Sequence, residues 1–387
     1  MKTTEINKIR ETRTIIIGGG VSGLACGRTL HERGQDFIML TEEIGGRMLT
    51  SRSHQVNYGA SYITEDYENI MPYMGGGKRI WTHNCYFHDS NRPISFYRPR
   101  TLLEVGKLIR LYRIAADFRK RLRVLRHKAL YISQKEALEE DLVLKGYTRK
   151  PAVEFVRENG LEYLNRTYFS PLFNSTGFIE YDRCNTFAYL DNLMALICKT
   201  YVANHSHCCH MLPKGWENRI ARCRVKAMRR EGDTFEVRTE RDVFRADNVV
   251  LALPYYSAKT FYDVPKPEHS VPIYVLEVRG ERNKCCRGKE VVFFQPEEHE
   301  ITILWQQVTG TDILFSKTKE PDLGKYYTSY HMISRIYWPT AVVLSGGEWF
   351  EQKLEKGVYL ASDYNICGLE DAYITGVYAA NQICGVF

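Results

Sequence analysis

The chain has 387 residues, of which 44% are hydrophobic and 26% charged, and a formal net charge of +7. This length is more than one hydrophobic core normally serves, so two domains are expected. No apolar run approaches the roughly eighteen residues that cross a bilayer, and the polar residues 1–13 lack the apolar core of a signal peptide. The eleven cysteines, without framework spacing, are typical of free thiols in a reducing compartment, so we expect a cytoplasmic protein.

A glycine-rich turn follows a strand-like run at residues 14–17, and its residues are Gly18, Gly20, Val21, Ser22 and Gly23. In the G-x-G-x-x-G spacing the first glycine permits a tight turn, the second lets backbone approach a pyrophosphate, and the third lets the helix pack on its strand. Residues 21–33 are predicted to form that helix, whose N-terminus offers free N–H groups to phosphates. The pattern predicts a bound dinucleotide.

The second strand is predicted over residues 36–40, and its end normally carries a carboxylate for the adenosine ribose. By spacing that position is Thr41, with Glu42 and Glu43 directly after it. Glu42 could serve if the strand ends one residue later, or both glutamates could be solvated loop charges. A second motif, Gly45, Gly46 and Arg47, follows this strand and favours FAD over NAD.

The rest of the chain is predicted to alternate between helical and strand-rich segments. Residues 101–165 are mainly helical, and another helix covers residues 185–202. A hairpin turns at residues 232–233, and residues 248–254 have the continuous apolar character of a strand buried on both faces. A last strand at residues 357–363 precedes a closing helix at residues 369–384.

Residues 101–128 combine many basic side chains with apolar residues at helical spacing. Such a helix can be a solvated face over a core, or it can lie on an anionic membrane surface or meet an acidic partner. No nucleic-acid reader motif accompanies the charge, so nucleic-acid binding is not expected. Peripheral membrane contact through this segment stays open as a prediction.

In their order along the chain, these motifs resemble the superfamily of FAD-dependent amine oxidases, protoporphyrinogen oxidases and phytoene desaturases. The resemblance covers the nucleotide-binding parts, about half of the sequence. It implies an α/β fold in which a Rossmann-like FAD-binding domain of the three-layer ββα type carries an inserted α+β substrate domain. The FAD-binding domain is predicted to be discontinuous, over residues 1–75, 205–260 and 345–387, with residues 76–204 and 261–344 forming the substrate domain.

The resemblance implies a role for each matching position around the pyrophosphate and the ribityl chain. Gly45 and Gly46 would bring backbone close to this part of FAD, with Arg47 as a nearby cation. Asp363 would hydrogen-bond to the same region from the end of the last strand.

Three further segments are implied to contact the cofactor. The backbone of Val225 would pair with the adenine. Gly59 and Ala60 would lie near the flavin, where larger side chains are not tolerated. Ser61, the next residue, would also contact the cofactor. The helix that begins with residues 369–372, including Leu369 and Ala372, would direct N–H groups at the flavin pyrimidine edge.

The resemblance also has gaps. Many amine oxidases of the family have a lysine near the flavin where the best local match here is Ile273. No cysteine falls at their position of covalent flavin attachment, so non-covalent FAD is expected. Substrate-facing aromatic residues are expected over the flavin, and the candidates are Tyr62, Tyr337 and Trp338. No residue is a convincing catalytic acid or base.

A histidine- and cysteine-rich run at residues 205–210 lacks the spacing of a zinc site, so no metal is expected. The expected function is oxidation of an apolar or aromatic small molecule, an isoprenoid or an amine, by hydride transfer to flavin N5. O2 or a quinone would then reoxidise the flavin. The alternatives are a non-redox flavin-dependent mutase or isomerase, and a non-catalytic flavin-binding module.

Overall fold

The structure is a computed structural model that describes residues 9–89 and 92–386. In these residues the strands are β1 (Ile9–Glu11), β2 (Thr14–Gly19), β3 (Ile38–Ile44), β4 (Tyr62–Thr64), β5 (Arg79–Ile80), β6 (Cys85–Asp89), β7 (Arg92–Ser95), β8 (Thr200–Val202), β9 (Ile220–Arg222), β10 (Val225–Glu231), β11 (Thr234–Thr239), β12 (Val243–Ala246), β13 (Asn248–Leu251), β14 (His269–Arg282), β15 (Val291–Phe293), β16 (Ile301–Gln306), β17 (Asp312–Ser316), β18 (Tyr327–Leu344), β19 (Lys353–Glu355) and β20 (Val358–Leu360). The α-helices are α1 (Val21–Glu32), α2 (Met71–Met74), α3 (Pro99–Leu102), α4 (Val105–Lys128), α5 (Gln134–Glu139), α6 (Leu142–Arg149), α7 (Ala152–Glu158), α8 (Glu162–Leu164), α9 (Ser170–Thr176), α10 (Thr186–Ile197), α11 (His205–Met211), α12 (Tyr255–Ala258) and α13 (Leu369–Cys384).

A six-stranded sheet in the order β19-β20-β13-β2-β3-β9 forms the middle of the nucleotide-binding region. Its strands pair in parallel except for β19 at one edge. Every residue of β2 and β20 is buried, as expected from their continuous apolar runs, because layers cover both faces of the sheet.

Helices α1 and α13 pack together over one face of this sheet. Gly376 allows their close approach, since a Cβ at this position would lie 2.0 Å from the carbonyl oxygen of Ser22. The other face is covered by a smaller sheet in the order β1-β12-β11-β10, with which it shares a buried apolar core. The predicted α/β fold with three layers is therefore present.

A second region is built on a seven-stranded sheet in the order β18-β14-β17-β16-β15-β6-β7. Its inner face shares one large apolar core with helices α4 to α10. A short three-stranded sheet, β4-β8-β5, lies in the segment before α11. The strands of the seven-stranded sheet come from residues 85–95 and 269–344, but the proposed domain boundaries stay a prediction.

Several predicted elements have different bounds in the structure. The helix predicted over residues 185–202 ends at Ile197, and residues 200–202 form strand β8 instead. Strand β3 continues to Ile44 rather than ending near residue 40. Helix α13 and the hairpin turn at residues 232–233 lie where they were predicted. No helix of the described residues is long and apolar enough to cross a membrane.

Helix α4 packs only part of its apolar surface against the core. Its core-facing residues are Leu111, Ala115, Phe118, Leu122, Leu125 and Arg126. Several apolar residues at its N-terminal end are exposed instead, among them Ile109 and Tyr112. The helix therefore has one apolar stripe in the core and a second one on the surface.

Candidate cofactor and substrate site

A continuous cavity of about 1020 Å³ runs from the glycine-rich turn after β2 to the inner face of the seven-stranded sheet. Large ligand sites reach volumes of about 1000 Å³. Of the predicted cofactor-binding residues, those that line the cavity are Gly18, Gly20, Val21, Ser22, Thr41, Glu42, Gly45, Gly46, Arg47, Gly59, Ala60, Ser61, Val225, Asp363, Leu369 and Ala372. Motifs that are far apart in the sequence thus line one cavity.

The first glycine turn has the geometry that the spacing predicted. Gly18 has φ +111°, and a Cβ there would lie 2.2 Å from the carbonyl oxygen of Ala252. A Cβ on Gly23 would lie 2.0 Å from the carbonyl oxygen of Gly18, so this glycine serves helix packing and does not line the cavity. Gly20 is different, because nothing lies within 4 Å of its Cβ position. It is the N-cap of α1, which no side chain caps.

The second glycine motif packs against the first and hydrogen-bonds to it. The N–H of Gly45 donates to the carbonyl oxygen of Gly19 at 2.8 Å. A Cβ on Gly46 would lie 3.1 Å from the Cα of Gly20. Gly45 and Gly46 have φ +112° and +54°, conformations that glycine adopts without strain. The two motifs therefore form one backbone cradle around the open N-terminus of α1.

The position predicted for the ribose carboxylate lies within β3, because this strand continues to Ile44. Thr41 is buried, and its hydroxyl donates to the carbonyl oxygen of Glu43 at 2.6 Å. Glu42 lines the cavity, and its side chain lies 3.7 Å from Arg224. Glu42 and Glu43 both line the cavity, so two carboxylates are available at this end of it.

Arg47 and Asp363 form an ion pair on the cavity wall. Arg47 Nη2 donates to Asp363 Oδ1, and Nη1 donates to the carbonyl oxygen of Ala341 at 3.1 Å. Ser362 also donates to Asp363 at 3.0 Å. Burial opposes the charge of Arg47, but the adjacent Asp363 carboxylate raises the pKa of the guanidinium. A permanent cation is thereby held beside the cradle.

Residues 59–61 come close to the same loop. A Cβ on Gly59 would lie 2.2 Å from the carbonyl oxygen of Arg47, so no larger residue fits. The carbonyl oxygen of Ala60 lies 2.9 Å from Nε2 of His205. Ser61 lines the cavity, and its buried hydroxyl has no hydrogen-bond partner among the described residues. An unsatisfied buried hydroxyl indicates a missing polar partner.

The N-terminus of α13 is a second backbone donor site. Gly368, with φ +126°, is the N-cap, and no described side chain caps the helix. Leu369 and Ala372 of its first turn line the cavity. The free N–H groups and the helix dipole favour negative charge on a ligand at this place.

The inner part of the cavity is an apolar chamber between the seven-stranded sheet and the helices. Tyr62 and Trp338 line it, and Trp338 Nε1 donates to the carbonyl oxygen of Tyr58 at 2.9 Å. Tyr337 is 50% exposed and stacks on Tyr274, so it lies outside the cavity. Other apolar residues of the chamber are Leu172, Phe178, Met194, Ile273, Val275, Val291, Phe293, Ile303, Trp305, Phe315 and Val342.

A buried group of charged residues next to the chamber was not predicted from the sequence. Arg126 of α4 donates to Asp371 at 2.7 Å and to Asp66 at 2.9 Å, and it lies 3.9 Å from Asp191. Asp66 and Asp191 both line the cavity. Asp191 could have been noticed as the one charged residue in the apolar helix α10.

The histidine- and cysteine-rich run at residues 205–210 lies in helix α11. Elsewhere, His88, Glu298 and His299 come within metal-binding reach of one another. Nδ1 of His88 and Nε2 of His299 are 3.1 Å apart, and Nδ1 of His299 lies 2.9 Å from the Tyr326 hydroxyl. Because these ring nitrogens already bond to protein atoms, we assign no metal to this group.

Together these features fit a long dinucleotide such as FAD. The cradle of Gly18, Gly20 and Gly45 leaves room for a pyrophosphate, and the hydroxyl of Ser61 lacks a partner that a ligand could supply. Leu369 and Ala372 at the N-terminus of α13 line the same cavity.

Comparisons with known proteins agree with this geometry. Residues 16–75 match the family described as NAD(P)-binding Rossmann-like domain. Over 62 residues the chain is 37% identical to flavin-containing amine oxidase B of Sus scrofa and 34% identical to that of Homo sapiens. The matched stretch covers 15% of this chain and only 12% of those relatives.

Solved structures resemble nearly the whole chain. A fatty acid isomerase from P. acnes aligns with a TM-score of 0.71 at 15% identity, over 97% of this chain and 99% of that protein. Putrescine oxidase bound to putrescine aligns with a TM-score of 0.66 at 12% identity, over 98% and 100%. At these identities the likeness establishes the fold, and it confirms the predicted fold class.

Proposed function

We propose that this chain, which has the fold of the FAD-dependent amine oxidase superfamily, is an oxidoreductase that binds FAD non-covalently and oxidises an apolar or aromatic small molecule. One observation carries the proposal: a single cavity joins the double glycine cradle to an apolar chamber. FAD, when bound, would supply the chemistry by accepting a hydride at flavin N5. O2 or a quinone would then accept the electrons.

The residues of the chain would bind, orient and desolvate the two ligands. The cradle around Gly20 would hold the pyrophosphate, Arg47 would neutralise its charge, and Glu42 would bind the ribose. The N-terminus of α13 would stabilise negative charge that develops on the reduced flavin. The chamber would exclude water from the substrate through its aromatic and aliphatic wall.

The test is the absorbance spectrum of the purified protein, recorded anaerobically during titration with benzylamine, putrescine, a polyene precursor and NADPH. We expect a yellow protein that one donor class bleaches and that air or a quinone restores. A yellow protein that no donor bleaches would favour a flavin-dependent mutase or isomerase, or a flavin-binding module. A colourless protein that takes up no FAD would contradict the proposal.

The chamber wall should determine how well a donor binds, and Trp338 and Tyr337 form a matched pair for measuring this. Trp338→Ala should lower kcat/KM for the best donor roughly tenfold or more, because burying a large apolar side chain stabilises a complex by about 1.5–3 kcal/mol. Tyr337→Ala should leave kcat/KM unchanged, since this neighbour lies outside the cavity. Equal effects of both substitutions would contradict the placement of the substrate.

We also propose that the exposed apolar side chains of residues 97–113, a segment that contains α3 and the first part of α4, contact an anionic phospholipid bilayer. Its large apolar residues, from 50% to 84% exposed, are Tyr97, Leu102, Leu103, Val105, Ile109 and Tyr112. The exposed cations Lys107, Arg110 and Arg113 lie on the same segment. Apolar side chains beside basic ones match the interface of an anionic membrane.

Flotation with vesicles of phosphatidylcholine, with and without phosphatidylserine, tests this contact. The protein should float with the anionic vesicles and less with the neutral ones, and the double variant Leu102→Glu, Leu103→Glu should lose at least about tenfold in binding. Leu142→Glu is the control, because Leu142 is 80% exposed on a different helix. Binding that persists in the double variant would refute the contact.

A further inference from the structure

Asp191 is a carboxylic acid on the wall of the cavity, in a helix that is otherwise almost entirely apolar. It lies in the middle of α10 and lines the cavity beside Asn192. Its side chain is 15% exposed, and no hydrogen bond reaches its carboxylate from the described residues. Asp191 therefore has hydrogen-bonding capacity that the fold does not use.

The guanidinium nearest to Asp191 is engaged by other carboxylates. Arg126 bonds to both oxygens of Asp371 through Nε at 3.2 Å and to Asp66 through Nη1 at 2.9 Å. Its closest nitrogen is 3.9 Å from Asp191, too far for a hydrogen bond. Three carboxyl groups, two of them buried and that of Asp191 partly exposed, thus surround one cation, and Asp191 is the least compensated of them.

Asp191 is also next to the part of the cavity where the reaction would take place. Titratable and charged groups from three parts of the chain surround Asp191. They are Arg126 of α4, the residues Tyr62, Asp66 and Tyr67 in and after β4, and Cys367 and Asp371 just before and in α13. Tyr62, Tyr67 and Cys367 line the same cavity. The carboxyl therefore faces the same cavity as these residues.

We propose that Asp191 is the proton acceptor of the reaction, an inference that rests on the proposed function. Two-electron oxidation of a donor breaks a C–H bond and an adjacent N–H or C–H bond, and a new C=N or C=C bond forms. The hydrogen of the first C–H bond would leave with the bonding electron pair as a hydride, which FAD would accept when bound, and the other hydrogen would leave as a proton. The Asp191 carboxylate takes that proton and becomes the neutral acid, so atoms and electrons balance.

The titration of Asp191 suits this task. Burial raises the pKa of Asp191 to about 7, Asp371 and Asp66 add to the rise, and Arg126 opposes it. A base acts in its ionised form, so the rate of flavin reduction should increase as the pH rises through about 7 and then level off. Proton transfer by a positioned side chain contributes about 10²–10⁴-fold to a rate.

The first test needs no substrate. Infrared difference spectra of the FAD-loaded protein, recorded during a pH titration, should show the carboxylic C=O band of Asp371, with a midpoint near pH 6, and a second such band that disappears with a midpoint near pH 7. Asp191→Asn should lack the second band, whereas Asp182→Asn, at an exposed aspartate, should retain it. A second band unchanged by Asp191→Asn would overturn the assignment.

The second test measures anaerobic flavin bleaching with the donor that the titration above identifies. Asp191→Asn should slow bleaching by about 100-fold or more and remove the pH step, while Asp191→Glu should restore the step. Dithionite should bleach all variants alike, which shows that the flavin is intact. Bleaching of Asp191→Asn at the wild-type rate overturns the role of Asp191 alone. A flavin that no donor bleaches overturns both this inference and the proposed function.

Discussion

Gly20→Val is expected to abolish tight FAD binding while the protein still folds. The Cβ position of Gly20 points into open space at the cradle, so the valine side chain would occupy the room of the pyrophosphate. Losing two charge-assisted hydrogen bonds, at about 1.5–3 kcal/mol each, would reduce the affinity roughly 100-fold or more. Fluorescence quenching of FAD during titration of the apoprotein measures this loss.

The fold should tolerate the change because no described atom lies within 4 Å of the Cβ position of Gly20. Replacing a glycine N-cap with an apolar residue costs only about 1 kcal/mol, which thermal unfolding of the apoprotein would detect. Gly106→Val is the matched control, since Gly106 also has no neighbour within 4 Å but lies on α4. Gly18→Ala would be less informative, because its Cβ would collide with the backbone of Ala252. Undiminished FAD binding by Gly20→Val would show that the cradle does not hold the pyrophosphate.

Arg126→Met should destabilise the protein by about 3–5 kcal/mol, the usual result of removing one partner of a buried ion pair. Arg126 is 4% exposed and is the cation among the carboxyl groups of Asp66, Asp191 and Asp371. This loss is a large part of a typical folding free energy of about 5–15 kcal/mol. Urea unfolding monitored by circular dichroism measures it.

The loss should depend on pH in a defined direction. Burial raises the pKa of Asp371 to about 6 even with Arg126 present, and removal of the cation would raise it further. A carboxyl whose folded pKa lies above its unfolded value, about 3.9, costs stability as the pH rises between the two values. The variant should therefore be less impaired at pH 5 than at pH 8.

Two companion variants make the interpretation specific. Arg126→Met combined with Asp371→Asn should recover part of the stability, because one uncompensated charge is removed. Arg123→Met should cost less than about 1 kcal/mol, since Arg123 of α4 and its ion-pair partner Glu68 are both more than half exposed. Equal losses for Arg123→Met and Arg126→Met would contradict the burial of the charged group.

The cofactor end of the cavity was largely predictable because its signals are local. The role of Gly18 follows from a positive φ and a close approach to a neighbouring strand, which only glycine permits. The helix at residues 369–384 was likewise visible in its small and apolar residues. Helix α10 was predicted too long, because apolar spacing alone does not distinguish the end of a helix from the short strand β8 that follows it.

The substrate end was not predictable to the same degree. Trp338 and Tyr337 are adjacent in the sequence, and alternation along β18 directs one into the cavity and the other towards solvent. A register shift between Val271 and Ile273 precedes this part of the pairing with β14. Because a shift of one residue exchanges the faces of a strand, the inward residue could not be chosen from the sequence.

The sequence by itself determined the nucleotide-binding fold and predicted most of the residues that line the cofactor end of the cavity, since glycine conformation, strand burial and helix N-termini act on adjacent backbone. Only the tertiary structure decided where the charged group around Arg126 lies. Arg126 and Asp371 are 245 residues apart, and Arg126 and Asp66 are 60 residues apart, yet they contact one another beside Asp191. Charge, burial and pKa depend on such distant neighbours, and no local pattern records them.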